Sequence, residues 1–279
     1  MKLLWASDIH LDRAGGEWKE RFFERLAAAG HDGVVISGDV SNSKCVVRHL
    51  EEIGRACNGS GNGSGKPVYF VLGNHDYYQG SIRQVELAVD QLCQRSGNLF
   101  HLGKGEIISI GNDTALMGHR GWGNGGEKSR YRISVPNPDR HAIADFRGLS
   151  NHAYFSRVQS LGAESADYVR RILPAALARY SRVVHLTHYP VHTDAIRFNK
   201  RPCGWDRMGH FANFAMGGAM LGIFKNYQER TNQERTIMVL AGHSHCAATV
   251  RVAPGIEIKV AGARPGKPEV QGIIDVALL

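Results

Sequence analysis

Short apolar runs alternate with amphipathic stretches along the first hundred residues. The runs Lys2–Ser7, Gly33–Ser37 and Val68–Leu72 each end abruptly at a small or polar residue, which is typical of buried parallel strands. Between the first two runs, Trp18 and Phe22 belong to an apolar stripe at helical spacing. This rhythm predicts βαβ units and therefore an α/β fold.

The remaining chain continues the pattern less regularly, with shorter strands and longer helical stretches. We expect a helical region from about Ala142 to Ala178, and strands at Glu106–Ile110, Thr114–Met117, Arg182–Thr187, Thr236–Ala241, Ala248–Val252, Glu257–Val260 and Ile273–Leu278. The Gly- and Ser-rich run at 58–65 is predicted to be a surface loop and not a domain boundary. We therefore expect a single domain over 1–279, with a basic, partly helical, cap-like insertion at about 119–180.

Composition places the chain among ordinary globular proteins and indicates a reducing compartment. It has 279 residues, of which 43% are hydrophobic and 22% charged. Its cysteines number five and are widely scattered, so neither a disulfide framework nor a thiolate zinc site is indicated. No run approaches the ~18 apolar residues of a membrane span. We therefore expect a cytoplasmic protein without a membrane partner.

The positive charge is concentrated in the middle of the chain. Between His119 and His210 there are 15 basic and 7 acidic residues, whereas the rest of the chain has 19 of each. This excess accounts for the whole net charge of +8 and predicts a positive surface facing an anionic ligand. Solvated helix faces rich in arginine are the alternative explanation.

Residues with metal-ligand chemistry follow five of the predicted strands. They are Asp8 and His10, Asp39, Asn74 and His75, His188, and His243 and His245. Because the carboxyl ends of strands in an open α/β sheet border the binding crevice, we expect these residues to converge. Alternation along extended backbone would turn Asp8 and His10 to the same side. Gly38, Gly73 and Gly242 would let the backbone approach the bound centre closely.

The number and type of these ligands predict two metal ions. With His75 left over, two carboxylates, one amide oxygen and four imidazoles are too many for one tetrahedral zinc and suit two ions about 3.5–4 Å apart. Imidazole, carboxylate and amide ligands without thiolate favour Mn, Fe, Zn, Co or Ni over calcium or magnesium alone. Such a centre attracts a phosphate and lowers the pKa of a bridging water.

At these residues the chain resembles the calcineurin-like metallophosphoesterases. The matching motifs are Asp8-Ile9-His10, Gly38-Asp39, Gly73-Asn74-His75-Asp76, His188 within Leu186-Thr187-His188-Tyr189-Pro190, and Gly242-His243-Ser244-His245. The resemblance implies a four-layer α/β/β/α sandwich of two mixed sheets, with a dinuclear metal site at the carboxyl ends of the strands.

The resemblance also implies a role for each ligand. One metal would be held by Asp8, His10 and His245, and the other by Asn74, His188 and His243. Asp39 would bridge the two ions. His75 would hydrogen-bond the phosphate and protonate the leaving oxygen.

The chain departs from the family pattern after Gly38-Asp39. Many members carry a second acidic residue three positions after the aspartate, where this chain has Asn42. An amide cannot supply the negative charge that would hold His75 protonated, so we expect Asp76 or solvent to orient that ring. This departure disfavours the protein-phosphatase branch.

The predicted activity is hydrolysis of a phosphoester by in-line attack of a metal-bridging hydroxide. A phosphodiester or a small phosphorylated metabolite or nucleotide is favoured over a phosphoprotein. The alternatives are a nuclease acting on DNA or RNA, for which no binding motif is present, and a non-catalytic metal-binding scaffold. Arginine can bind phosphate in a bidentate manner and tryptophan can stack on a flat group. The predicted substrate-binding residues are His119, Arg120, Trp122, Arg130, Arg132 and His192.

Overall fold

A computed structural model of the protein describes residues 1–58, 65–124, 137–198, 201–202 and 205–279. The first of two large sheets has five strands. They are β1 (Lys2–Ala6), β2 (Gly33–Ser37), β3 (Val68–Val71), β4 (Leu99–His101) and β13 (Val270–Asp275), in the order β13-β1-β2-β3-β4. Strands β1 to β4 are parallel, and β13 is antiparallel to β1.

The second sheet has six strands and is also mixed. They are β5 (Ile108–Ser109), β6 (Thr114–His119), β7 (Arg182–Thr187), β10 (Thr236–Ala241), β11 (Ala248–Ala253) and β12 (Ile256–Val260), in the order β11-β12-β10-β7-β6-β5. Strands β6, β7, β10 and β12 are parallel, and the two edge strands are antiparallel. A small hairpin of β8 (Arg197–Phe198) and β9 (Arg201–Pro202) stands apart.

The five longest helices cover the outer faces of the two sheets, and the described residues contain seven α-helices in all. They are α1 (Gly16–Ala27), α2 (Val46–Cys57), α3 (Ile82–Arg95), α4 (Asp139–Ala142), α5 (Asn151–Arg179), α6 (Trp205–Phe211) and α7 (Phe214–Thr231). One core joins the first sheet to α1, α2 and α3, a second fills the space between the sheets, and a third joins the second sheet to α5 and α7. The expected four-layer α/β/β/α sandwich is confirmed.

Helix α5 occupies much of the stretch expected to form a cap. Its buried side chains extend from Tyr154 to Leu177 and pack into the cores beneath it. Helix α5 thus packs against the sandwich, and the cap-like insertion at about 119–180 in a single domain stays a prediction. Residues 125–136 lie outside the described residues. Within the described ranges, no helix is long and apolar enough to cross a membrane.

The final strand and one edge strand differ most from the sequence-based expectation. The final strand begins at Val270 and ends at Asp275, where the Asp275 side chain accepts a hydrogen bond from the Ala277 amide and starts a short 3-10 turn. The expected strand at Ile273–Leu278 was therefore placed too late. Strand β4, which lies at the edge of the first sheet, is too short to give an apolar pattern of its own.

Candidate metal centre

The two sheets bring all seven expected ligands to one place. Strands β1, β2 and β3 of the first sheet and β7 and β10 of the second end around it. The backbone amide of His243 donates to the Asp8 carboxylate at 3.0 Å, and that of Gly242 donates to the His188 carbonyl at 2.9 Å. These bonds tie the end of β10 to the ends of β1 and β7, so residues more than 200 positions apart lie side by side.

We call Asp8, His10, Asp39 and His245 ligand group A. Their ligand atoms all lie within 4.8 Å of one another. His245 Nε2 is 3.3 Å from Asp8 Oδ1 and 3.3 Å from His10 Nε2. His10 is 1% exposed and its burial lowers the pKa of the ring to about 3, so it is neutral, as a metal ligand must be.

We call Asp39, Asn74, His188 and His243 ligand group B. His188 Nδ1 faces the Ser37 carbonyl at 2.8 Å and His243 Nε2 faces the His210 carbonyl at 3.1 Å. A carbonyl only accepts, so each of these nitrogens carries the proton of its ring. Burial lowers the pKa of both rings and keeps them neutral.

The other nitrogen of each group B ring is therefore an unprotonated acceptor. His188 Nε2 and His243 Nδ1 are 3.3 Å apart, and each is 3.1 Å from Asn74 Oδ1. Three lone pairs thus converge without a hydrogen between them, which is unfavourable unless a cation lies among them. The donor set, nitrogen and oxygen without thiolate, suits a first-row divalent ion. The residues present fit a metal.

Asp39 lies between the two groups. Its Oδ2 is 3.7 Å from His10 Nε2 in group A, and its Oδ1 is 3.4 Å from His188 Nε2 in group B. Burial, together with the nearby carboxylates of Asp8 and Asp76, holds the pKa of Asp39 well above its usual range. A carboxylate that is hard to ionise alone and has ligand atoms of both groups around it is suited to bridge two cations.

The backbone at five of the seven ligands is left-handed, which alternation along a strand did not predict. The φ angles are 50° at Asp8, 40° at His10, 55° at Asp39, 69° at His243 and 55° at His245. Strands β1 and β10 have already ended at these positions, so the expected extended geometry for Asp8 and His10 is wrong. Non-glycine residues in this region carry strain that clusters at functional sites.

Glycines leave room for this crowding, as expected. A Cβ on Gly73 would stand 2.2 Å from Asp39 Oδ1, and one on Gly242 would stand 2.2 Å from Asp8 Oδ2. Both distances are far below contact, so only glycine lets the loops pass so close to the carboxylates.

His75 lies beside the ligand groups with its ring against two others. The ring is stacked on Tyr78 at 4.1 Å and meets His10 edge-on at 4.7 Å. Burial, with added repulsion from the charged Arg13, lowers the pKa of His75 to about 2. Its Nδ1 is 3.2 Å from Arg13 Nη2.

The expectation that Asp76 orients His75 is wrong. The buried Asp76 carboxylate accepts hydrogen bonds from the backbone amides of Gly73, Asp39 and Ser41, at 2.8 to 3.0 Å. It therefore fixes the loops after β2 and β3 to each other. Asn42, which replaces the family's second acidic residue, donates to Asp12 instead.

Sequence reasoning missed Asp139, a buried carboxylate in α4. Its Oδ1 accepts from Asn74 Nδ2 at 2.8 Å and from the Tyr78 hydroxyl at 2.7 Å. These bonds orient the Asn74 amide so that its oxygen faces His188 and His243. Asp139 is 65 positions from Asn74 and belongs to no recognisable motif, so the chain gives no local signal for it.

Three of the expected substrate-binding residues are in the interior, which corrects that prediction. Trp122 is 2% exposed and packs among Tyr77, Phe146 and Tyr189. Trp122 therefore has no free face for a substrate.

Arg120 and His119 are also engaged within the fold. The Arg120 guanidinium forms an ion pair with Glu86 through Nη1 and with Glu164 through Nη2, so both terminal nitrogens already have a partner. The His119 ring is 9% exposed, packs at 5.1 Å from that of Tyr168, and accepts a hydrogen bond from the Gly121 amide.

The remaining expected substrate residues stay predictions. His192 is half-buried and accepts a hydrogen bond from the Asp194 amide at 3.3 Å. Arg130 and Arg132 lie outside the described residues.

A two-sheet sandwich with paired metal-ligand groups at its strand ends defines a class of dinuclear metallohydrolases, and comparison with known proteins narrows it. The family profile described as calcineurin-like phosphoesterase matches residues 1–247. The fold is similar to that of a dimetal phosphatase from Danio rerio, at 13% identity and a TM-score of 0.53, covering 94% of this chain and 87% of that one. No curated protein sequence matches significantly.

Two further solved structures are more distant. A 5'-nucleotidase from Candida albicans has 10% identity and a TM-score of 0.46, covering 94% of this chain and 45% of that one. Vacuolar Protein Sorting 29 from Cryptosporidium parvum has 13% identity and a TM-score of 0.32, covering 96% and 80%.

The chain belongs to the calcineurin-like phosphoesterase family, because the profile spans most of its length. It is a metallophosphoesterase, a hydrolase of phosphoric ester bonds, and its family uses two divalent metal ions. The fold and the Asp and His cluster agree with this assignment.

Proposed function

We propose that the protein hydrolyses the phosphoester of a small phosphorylated metabolite or nucleotide, either a monoester or a diester, by in-line displacement at phosphorus. The observation that supports this proposal is the meeting of unprotonated imidazoles, an amide oxygen and a shared carboxylate, with His75 beside them. A scaffold without activity has no need for this costly arrangement of buried, strained ligands.

Each ligand group would hold one ion, with Asp39 shared. When bound, two divalent ions lower the pKa of a water and stabilise the charge that develops on the phosphoryl oxygens. Group B is rigid because Ser37, His210 and Asp139 hold its rings and amide in place. The ligand atoms of group B are therefore in position before an ion and the substrate bind.

His75 would deliver a proton to the leaving oxygen. In the absence of an anion its ring is neutral, because burial lowers its pKa. A phosphate dianion bound next to the ring favours the charged form and raises that pKa. The proton held on His75 can then pass to the leaving group as the bond to phosphorus breaks.

Purified manganese-loaded protein tests the proposal. It should hydrolyse p-nitrophenyl phosphate or bis-p-nitrophenyl phosphate, and His75→Ala should lower kcat by ~10²–10⁴-fold, the usual contribution of a general acid. His152→Ala, which removes an exposed histidine from α5, should leave kcat unchanged. No hydrolysis of either compound by metal-loaded protein would end the proposal. If either compound is hydrolysed, a screen of phosphorylated metabolites, cyclic nucleotides and oligonucleotides with manganese would identify the substrate.

We also propose a cytoplasmic location, which rests on the scattered spacing of the five cysteines. Fractionation of cells that express the tagged full-length protein tests it. Recovery in the soluble cytoplasmic fraction supports the proposal, and recovery outside the cytoplasm contradicts it.

A further inference from the structure

Arg13 is an exposed arginine that the fold places directly beside the metal centre. It ends a tight turn that starts at the ligand His10, because the Arg13 amide donates to the His10 carbonyl at 2.9 Å. The turn is anchored at Leu11, whose amide donates to the Val40 carbonyl. The Arg13 guanidinium thereby comes within 3.2 Å of His75 Nδ1. Arg13 thus lies between His75 and solvent.

When no anion is bound and the His75 ring is neutral, the contact with Arg13 fixes which ring nitrogen carries the proton. A guanidinium has five N–H donors and no acceptor, so His75 Nδ1 must accept. The proton of the neutral ring is then on Nε2. Family members with a carboxylate at this ring would hold the opposite charge there, whereas in this chain Asn42 faces Asp12. Arg13 is therefore the charged side chain that contacts His75.

Most of the donor capacity of Arg13 is unused. Within the part of the chain that the structure describes, no carboxylate forms an ion pair with it. Arg120, by contrast, is held between Glu86 and Glu164. His75 takes one N–H of Arg13, which leaves the others for an external anion. Bidentate contact with phosphate is what this geometry offers best.

We propose that Arg13 binds the phosphoryl group of the substrate and thereby selects phosphomonoesters over phosphodiesters. This inference rests on the proposed function and chooses between its two substrate classes. A monoester carries a charge of about −1.5 to −2 at pH 7 and three terminal acceptor oxygens. A diester carries one charge and two terminal oxygens. An added guanidinium beside the centre therefore stabilises the bound monoester more.

The test compares Arg13→Gln and Arg13→Lys with wild type and with the control Arg25→Gln. Arg25 is exposed in the last turn of α1, and since α1 runs back along the sheet, it lies away from the strand ends. We would measure kcat and KM for p-nitrophenyl phosphate and for bis-p-nitrophenyl phosphate with manganese. Calorimetric titration with inorganic phosphate gives a second readout that does not depend on turnover.

Arg13→Gln should lower kcat/KM for the monoester by ~10–100-fold, as expected for a charge-assisted contact, and that for the diester by less than ~3-fold. It should also weaken phosphate binding by roughly tenfold. Arg13→Lys should lose less kcat/KM for the monoester and less phosphate affinity than Arg13→Gln. Lysine keeps the positive charge but lacks the two parallel N–H donors of the guanidinium. Arg25→Gln should match wild type, and the melting temperatures of all variants should agree.

An equal loss for both substrates, or unchanged phosphate affinity, would overturn the role of Arg13. Failure of the proposed function gives a different result, namely wild-type protein inactive on both substrates. In that case the phosphate titration still decides whether Arg13 binds the anion.

Discussion

Ligand groups A and B differ in how the protein supports them. In group B, every ring and amide has a partner behind it: Ser37 for His188, the His210 carbonyl for His243, and Asp139 for Asn74. In group A, the buried Nδ1 of His10 has no hydrogen-bond partner among the described residues, and the His245 side chain is 30% exposed.

If each group holds one ion, as we propose, this difference makes the two metal sites unequal although their ligands are of similar types. Partners behind a ligand set its tautomer and direction before a metal arrives, which raises affinity. Group B is therefore the preorganised site. Group A is more open to solvent at His245, and among the described residues no hydrogen bond to His10 Nδ1 fixes the tautomer of that ring. We expect it to be the site that exchanges metal.

The largest effect should come from removing the shared ligand. Asp39→Asn withdraws the bridging charge from both groups, so both ions should bind weakly and kcat/KM should fall at least ~10³-fold, about 4 kcal/mol. Metal content by mass spectrometry and kinetics with p-nitrophenyl phosphate check this. Retention of two ions per chain by the variant would show that Asp39 is not shared.

The same substitution should stabilise the metal-free protein. The folded-state pKa of Asp39 is raised, so the contribution of this group is fully present below pH 3.8 and lost as pH rises towards neutrality. At pH 7.5 in EDTA, Asp39→Asn should therefore melt at a higher temperature than wild type. A lower melting temperature in EDTA would contradict the electrostatic account of this site.

Competition with a chelator should separate the two groups in wild type. We expect the ion in group A to bind ~10–100-fold more weakly than that in group B, the usual effect of supporting hydrogen bonds. Stepwise removal with a weak chelator should leave one ion per chain. Simultaneous loss of both ions would show that the support seen behind group B has no consequence for affinity.

Asp139→Asn should remove much of this difference. The substitution replaces the charged carboxylate that accepts from Asn74 and Tyr78 with a neutral amide, which weakens both hydrogen bonds, so group B should lose ~10–100-fold in affinity. Asp145→Asn is the matched control, because Asp145 accepts from the Ile82 amide and touches neither group. Equal metal affinity in Asp139→Asn and Asp145→Asn would contradict a positioning role for Asp139.

Much of this site could be predicted because its ligands sit at ends of apolar strands. Asp8, Asp39 and His188 follow such runs directly, and parallel strands meet at their carboxyl ends. The left-handed backbone at Asp8 could not be predicted, because it depends on how closely the loops of the two sheets pack against each other at the metal centre.

The surroundings of the site could not be predicted for a different physical reason. Asp139 reaches Asn74, and Glu86 and Glu164 reach Arg120, through tertiary packing between distant elements. In the sequence, a basic residue after a strand looks the same whether it faces a substrate or a carboxylate of the same chain. Trp122 was misjudged in the same way, since a loop tryptophan can pack inward.

The smallest effect on the metal groups is expected from His185→Leu. His185 lies on β7, three residues before His188, fully buried with both ring nitrogens unpaired among the described residues. Burial lowers its pKa to about 4, so its stability contribution is present above pH 6.5 and lost as pH falls towards 4.

The free energy of unfolding of the variant, relative to that of wild type, should therefore increase by about 2 kcal/mol between pH 7.5 and pH 5. Urea unfolding at the two pH values measures this, with the exposed His152→Leu as control. Metal affinity of both groups should stay unchanged. A pH-independent difference would mean that His185 is not a buried neutral ring.

The most direct test of the dinuclear centre is anomalous diffraction from crystals grown with manganese. Two peaks about 3.5–4 Å apart are expected. One should be bound by Asp8, His10 and His245, and the other by Asn74, His188 and His243, with Asp39 between them. A single peak at full manganese saturation, or peaks away from these side chains, would contradict the account.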